Sequence, residues 1–171
     1  MASDKLYKIT KSSTHGKGVF ALRDIPRDTK IIEYIGEKIT KKESERRSVA
    51  QQEKANHKTG AVYMFELSKR YDIDGNVKAN KARRINHSCD PNCIAYTENG
   101  GIWIYSIRRI QKDEELNYDY GFSIDHYDEH PCRCSSKKCL GYIVCRPERS
   151  KLKRRLKKIE KKAAKAQAKK K

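Results

Sequence analysis

Apolar residues along this chain come in short stretches, each broken within a few positions by charge. That pattern favours strands over long apolar helices. Lys30 to Gly36 (KIIEYIG), Val62 to Leu67 (VYMFEL) and Ile102 to Ile107 (IWIYSI) are rich in β-branched and aromatic residues and predict strands. Cys93 to Glu98 and Gly101 to Ile107 flank Asn99-Gly100. That pair predicts a two-residue hairpin, because both turn positions need positive φ. From Thr40 to Lys54 the chain is Lys, Glu, Arg, Gln and Ala without Gly or Pro, which predicts a polar helix. There is no internal repeat. The fold class is α+β and β-rich.

Composition narrows the function. The chain has 171 residues, 36% of them apolar, with 40 Lys and Arg against 22 Asp and Glu, a formal charge of +18. No apolar run approaches the ~20 residues of a membrane span, and MASDKLYKIT has no apolar core for a signal peptide. The expectation is a soluble intracellular protein with no membrane partner, and a monomer. The charge is uneven. Arg146 to Lys171 holds 14 basic residues against Glu148 and Glu160, so +12 of the +18 lies in the tail. Leu152, Leu156, Ile159 and Ala163 fall at i, i+4, i+7 and i+11 and give the tail one thin apolar stripe. The tail reads as a solvated helix, an electrostatic anchor for nucleic acid, or a nuclear localisation signal. A basic membrane-surface helix fits less well, because the stripe is narrow and has no aromatic residue.

Six cysteines stand at 89, 93, 132, 134, 139 and 145. In a lysine-rich intracellular chain disulfides are disfavoured, leaving metal or burial. Cys132, Cys134 and Cys139 form C-x-C-x4-C in a polar stretch with little else to order it, which suits one tetrahedral zinc ion. Arg133, Lys137 and Lys138 would offset the charge of the thiolates. Spacing alone leaves Cys89, Cys93, Cys145, His126 and His130 open as the fourth ligand.

Four further segments carry candidate chemistry. His15-Gly16-Lys17-Gly18-Val19-Phe20 is a glycine turn entering a strand, suited to close backbone approach by a ligand. Ala82 to Asn92 reads ARRINHSCDPN, dense in short polar side chains. Glu115 to Phe122 reads ELNYDYGF, with Tyr118 and Tyr120 on one face if a strand alternates there. Tyr63 lies in VYMFEL. Adjacent Asn, His, Ser and Cys do not make a nucleophile triad, whose members meet in space and not along the chain.

In this order GKGVF, IIEYIGE, YMFEL, ARRINHSCDPN, ELNYDYGF and C-x-C-x4-C resemble the SET-domain protein lysine methyltransferases with a post-SET zinc motif. The resemblance runs from about Tyr7 to Cys145 and leaves the tail unexplained. Two departures stand out. Arg84 occupies a position that is usually aromatic, and Ala79 stands where a glycine is common.

The resemblance implies several small β-sheets around a pseudoknot, with residues 1–122 as the SET domain, 123–146 as the post-SET zinc segment and 147–171 as a Lys/Arg-rich tail. It implies S-adenosylmethionine as cofactor, held by Gly16, Lys17, Gly18, Asn86, His87 (mainly through its backbone) and Tyr120. Cys89 becomes the fourth ligand of a structural zinc ion, with Cys132, Cys134 and Cys139. Tyr120 is the catalytic tyrosine, Tyr63 lines the lysine channel, and Tyr118 limits the reaction to mono- or dimethylation. The implied substrate is a lysine-bearing protein such as a histone or another basic DNA-associated protein. The compartment would be the nucleus in a eukaryote and the cytoplasm or nucleoid in a prokaryote. Two rival readings are a catalytically silent zinc-stabilised nucleic-acid or chromatin module, and a docking protein whose tail does the work.

Overall fold

The computed structural model describes residues 5–54 and 63–168. Within them lie β1 (Tyr7–Lys11), β2 (Lys17–Ala21), β3 (Lys30–Tyr34), β4 (Glu37–Thr40), α1 (Lys41–Lys54), β5 (Met64–Glu66), β6 (Tyr71–Asp74), β7 (Asn86–His87), β8 (Cys93–Glu98), β9 (Gly101–Ser106), β10 (Glu115–Tyr118) and α2 (Arg149–Ala168). The strands form three small sheets, in the orders β1-β2-β10-β7, β3-β9-β8 and β4-β6-β5. The fold is therefore β-rich α+β, as the short apolar stretches indicate. None of the described helices is long and apolar enough to cross a membrane.

The Asn99-Gly100 hairpin forms as expected. Asn99 has φ 50° and Gly100 φ 76°, and β8 pairs antiparallel with β9 from Cys93↔Ser106 to Glu98↔Gly101. The expected strand over KIIEYIG ends two residues early, at Tyr34. The chain there leaves one sheet for the next through Gly36, where a Cβ would lie 2.2 Å from the Asp74 carbonyl oxygen. The VYMFEL strand is shorter than expected too. Val62 lies outside the described residues, Tyr63 precedes the strand, and only Met64–Glu66 pairs, with β6.

Helix α1 begins where the polar run predicts. The Thr40 hydroxyl accepts from the Glu43 N–H at 3.3 Å, and Glu43 pairs with Arg46 and Arg47 one turn on. Satisfying a free N–H and pairing charges at i+3 and i+4 stabilise a helix with no apolar face of its own.

Two apolar clusters hold the chain together. The larger gathers Val19, Ala21, Ile25, Ile73, Ile85, Ile102, Ile104, Ile110, Leu116 and Tyr118 from all three sheets and the loops between them. The smaller is Ile124, Tyr127, Val144 and Leu152, flanked by Leu140, Tyr142 and Leu156. Leu152 is fully buried, Leu156 half-buried and Ile159 49% exposed. The tail is therefore a helix whose first two turns are packed and whose remainder projects.

Candidate active site and metal centre

The site grows from one pairing. Strand β10 is antiparallel to β2 on one side and parallel to β7 on the other, setting Asn117 opposite Asn86 and Tyr118 opposite His87. Two segments thirty residues apart thus share an edge. Asn92, fully buried, reinforces it. Its side chain donates to the Glu115 carbonyl at 2.8 Å and accepts from the Asn117 N–H at 2.9 Å, while its own N–H donates to Asn117 Oδ1 at 3.1 Å. The polar run ARRINHSCDPN therefore spends its hydrogen bonds across the fold.

This edge opens on a cavity of about 420 Å³, lined by the turn from Thr14 to Lys17, by Tyr34, Tyr63, Met64, Phe65 and Glu66, and by Arg83, Arg84, Asn86 and His87. Tyr118, Tyr120, Phe122 and the segment from Glu129 to Cys134 complete it, together with Ile143. Strand β10 ends at Tyr118, so Tyr120 lies beyond it. The two rings still sit together, with centroids 5.0 Å apart. The Tyr120 hydroxyl donates to the Ile85 carbonyl at 3.0 Å, and its N–H donates to His87 Nδ1 at 3.2 Å. Burial, with Tyr63 nearby, pushes the Tyr120 phenol well above its ordinary range, and burial does the same for Tyr118 and Tyr34. All three keep their protons near neutral pH and can donate a hydrogen bond without ionising. The Tyr34 hydroxyl donates to the Tyr63 carbonyl at 2.8 Å, fixing the segment that brings Tyr63 to the cavity. The Arg83 guanidinium lies 5.5 Å from the Tyr63 ring centre.

The glycine turn lines the cavity next to Asn86. Gly16 has φ +51°, a backbone favouring glycine, and both it and Lys17 face the cavity. Gly18 does not line the cavity. A Cβ on it would sit 2.3 Å from Glu115 Oε1, so its use is to let the Glu115 carboxylate pack beneath β2. Glu115 Oε1 accepts from Asn86 Nδ2 at 2.6 Å, and both carboxylate oxygens accept from the Ser12 hydroxyl at 2.8 Å. Asn86 also reaches the His15 carbonyl at 3.3 Å. Glu115 thus joins the Asn86 segment to the glycine turn. The sequence reading did not single it out, although it opens the ELNYDYGF run.

The cysteine sulfurs are arranged as a metal would need them. The sulfurs of Cys89, Cys132, Cys134 and Cys139 all lie within 4.8 Å of one another, and Cys89 and Cys132 are 3.8 Å apart. Four thiolates about 2.3 Å from a tetrahedral zinc ion would stand about 3.8 Å from each other, so the donor set and spacing fit. The Cys89 thiol is lowered because Cys132 donates to its sulfur, with His87 Nε2 at 3.4 Å assisting, and the donor Cys132 is raised correspondingly. The other contenders lie elsewhere. Cys93 belongs to the large cluster, its thiol pushed up to about 12 by burial. Cys145 is bonded to Glu148, and His126 is exposed beside Glu129. His130 stacks on Phe122 at 4.4 Å and lines the cavity, where burial lowers its pKa. Cys132 and Cys134 also line the cavity, so the cluster forms part of its wall.

Residues 16–121 match the family model for the SET domain. The chain is 40% identical over 143 residues to the histone-lysine N-methyltransferase set-2 of Caenorhabditis elegans, covering 81% of this chain and 9% of that protein. It is 36% identical over 145 residues to the histone-lysine N-methyltransferase, H3 lysine-4 specific, of Chaetomium globosum, covering 81% and 13% respectively. The figure for the histone-lysine N-methyltransferase trr of Drosophila melanogaster is 38% over 140 residues, covering 79% and 6%. The chain thus spans only a small part of the length of these relatives.

Proposed function

The chain belongs to the SET domain family, and on that premise we propose that it methylates lysine side chains of proteins, histones foremost, using S-adenosylmethionine. The observation that carries the reading is the parallel β10–β7 pairing, which gathers Tyr118, Tyr120, Asn86 and His87 around one cavity that Gly16 and Lys17 also line. A cavity of about 420 Å³ with a few placed polar groups suits a small-molecule cofactor. Asn86, His87 and the turn of Gly16 and Lys17 would hold it. When bound, it supplies an electrophilic methyl group on a sulfonium.

The protein's share is to make an amine reactive and aim it. Keeping a lysine neutral at pH 7, against a free pKa near ~10.4, costs about 4–5 kcal/mol. The rings of Tyr34, Tyr63, Phe65 and Tyr118 wall the cavity and disfavour the ammonium by desolvation. Alignment of two reactants contributes up to about 7–11 kcal/mol, so the chemistry needs no strong nucleophile from the chain. Tyr120 is the catalytic tyrosine, its hydroxyl anchored on the Ile85 carbonyl at 3.0 Å and able to stabilise developing charge. Tyr118 crowds the amine and favours mono- or dimethylation. The four cysteines hold structural zinc, which orders the segment carrying Cys132 to Cys139 against the cavity. The division into a body to residue 122, a zinc segment to 146 and a basic tail follows the same reading.

The projecting part of α2 supports a second element, contact with nucleic acid. From Lys153 to Lys165 eight of its twelve exposed positions are Lys or Arg, against a single acid, Glu160, and such a helix binds phosphates with marked salt dependence. The histone-lysine methyltransferase relatives and this charge support action on DNA-bound, lysine-rich proteins, on chromatin if the source is eukaryotic.

The test is transfer of labelled methyl to free histones and to nucleosomes, with mass spectrometry locating the product and Tyr120→Phe as control. We expect transfer in the wild type, a loss of about a hundredfold or more in the variant, and preference for nucleosomes that fades with salt. Cofactor binding without transfer to any protein would remove the histone assignment. Neither binding nor transfer would hand the case to a silent nucleic-acid module. Equal, salt-independent transfer to both substrates would remove the nucleic-acid contact alone.

A further inference from the structure

We propose that Arg149, the first residue of α2, is a positioning residue for the methyl-transfer site, acting through Asp119. The inference rests on the enzymatic reading above and goes beyond it, since Arg149 belongs to the tail and not to any motif that carries the resemblance.

The Arg149 guanidinium is half-enclosed and fully engaged. Its Nη2 donates to Asp119 Oδ2 at 2.8 Å, its Nε donates to the Val144 carbonyl at 2.9 Å, and its Nη1 donates to the Cys89 carbonyl. The side chains of Arg149 and Asp119 are only 14% and 21% exposed. One planar group therefore joins the start of the tail helix, the segment leaving the cysteine loop, the backbone of a metal-ligand candidate and the carboxylate between the two cavity tyrosines. An arginine can do this because its five donors are arranged in a rigid fork, whereas lysine offers only a point charge.

Asp119 has a specific use for that charge. Its Oδ1 accepts from the Gly121 N–H at 3.1 Å and lies 3.8 Å from His87 Nδ1, the atom to which the Tyr120 N–H donates at 3.2 Å. Its Oδ2 accepts from the Arg146 N–H at 3.0 Å as well as from Arg149. The carboxylate thus ties together the turn on which Tyr120 sits, and Gly121 completes that turn with φ +75°. Without Arg149 the carboxylate loses its only guanidinium partner among the described residues and keeps the Arg146 N–H, and the turn loses its side-chain link to the Cys89 and Val144 carbonyls. Displacements of about 1 Å at a reacting group cost about a hundredfold in rate. Arg149 touches no cavity-lining face itself, so its effect is on where Tyr120 stands.

The test compares full-length wild type with Arg149→Ala, Arg149→Lys and, as a surface control on the same helix, Gln167→Ala, an exposed position outside the cationic stretch. Zinc content by atomic absorption, thermal melting, S-adenosylmethionine binding by calorimetry and single-turnover transfer are read on each. We expect Arg149→Ala to keep its zinc and its melting profile and to lose about ten- to a hundredfold in the transfer rate at saturating substrate. Millimolar guanidinium, but not sodium at equal ionic strength, should recover several-fold of that loss by filling the vacated fork. Arg149→Lys should recover little, and Gln167→Ala should match wild type. Transfer by Arg149→Ala within twofold of wild type would overturn the proposal. So would a loss that tracks zinc or melting and does not respond to guanidinium, since Arg149 would then be a structural strut. A wild-type chain that neither binds the cofactor nor transfers methyl would overturn the enzymatic reading together with this proposal. Active wild type with an unaffected variant overturns this proposal alone.

Discussion

The body and the C-terminal segment are held by different physics. In the body, fifteen buried apolar residues drawn from three sheets form one continuous core, among them Ile102, Ile104, Ile110 and Leu116 at zero exposure. Past Phe122, among the described residues, four, Ile124, Tyr127, Val144 and Leu152, form the second cluster. Ordering some thirty residues costs far more entropy than four apolar side chains offset. Zinc held by the four cysteines, as proposed above, would fill that gap, and one of them, Cys89, comes from the body. The segment closing one side of the cavity thus has little apolar burial of its own, while the body has a continuous core. On the proposed reading, one wall of the cavity is stable on its own and the other depends on metal.

Metal removal breaks the comparison most sharply, since structural zinc sites contribute about 10–16 kcal/mol at neutral pH. Chelation should abolish cofactor affinity while circular dichroism still shows the strands of the body. Parallel loss of both signals during one chelator titration would show that the two regions are a single unit. Next in size is a pair of core truncations at fully buried positions, Ile104→Ala and Leu152→Ala. Each deletes a comparable apolar volume, worth about 2–5 kcal/mol in a core that unfolds as a whole. Ile104→Ala should lower the melting temperature of the entire chain. Leu152→Ala should leave it almost unchanged and instead speed amide exchange after residue 122. Equal shifts in global melting would erase the distinction. A tail truncation meant to probe nucleic-acid contact must accordingly end after Leu156, because a cut at residue 150 removes part of the second core. The smallest effect is at Tyr118, buried in the body beside Phe65 and Tyr120 at ring distances of 6.0 and 5.0 Å. Tyr118→Phe should alter the overall rate by only a few-fold and shift products toward higher methylation states, read by mass spectrometry. An unchanged product distribution would remove the crowding role.

Much of the local structure was legible in advance. The Asn99-Gly100 turn, the polar helix after Thr40 and the glycine turn at Gly16 are local features, each encoded by the φ it needs or the charge spacing it carries. The three clustered cysteines pointed to a metal, and the resemblance chose Cys89 among five open candidates. Its sulfur does join theirs, whereas Cys93, only four residues on, is buried in the large core. Other features were illegible for a reason. Gly18 looked like a ligand contact because glycine permits close approach, yet what approaches is the Glu115 side chain, nearly a hundred residues away in the sequence. Tyr120 sits off the strand that alternation would have given it, and reaches Tyr118 by a turn that Asp119 and Gly121 make.

The amino-acid order by itself determined the short elements, the basic tail, the C-x-C-x4-C loop and, through the motifs that resemble a family, the chemistry to look for. These follow from backbone preferences and charge within a few residues of each other. Only the tertiary structure decided that Asn86 and His87 run parallel to Asn117 and Tyr118, that Glu115 binds the glycine turn to Asn86, and that Arg149 of the tail reaches Asp119. Those contacts join residues 29 to 30 positions apart, or more. Their partners are chosen by which cores pack and which buried charges must be paired, and neither is written in any local stretch of the chain.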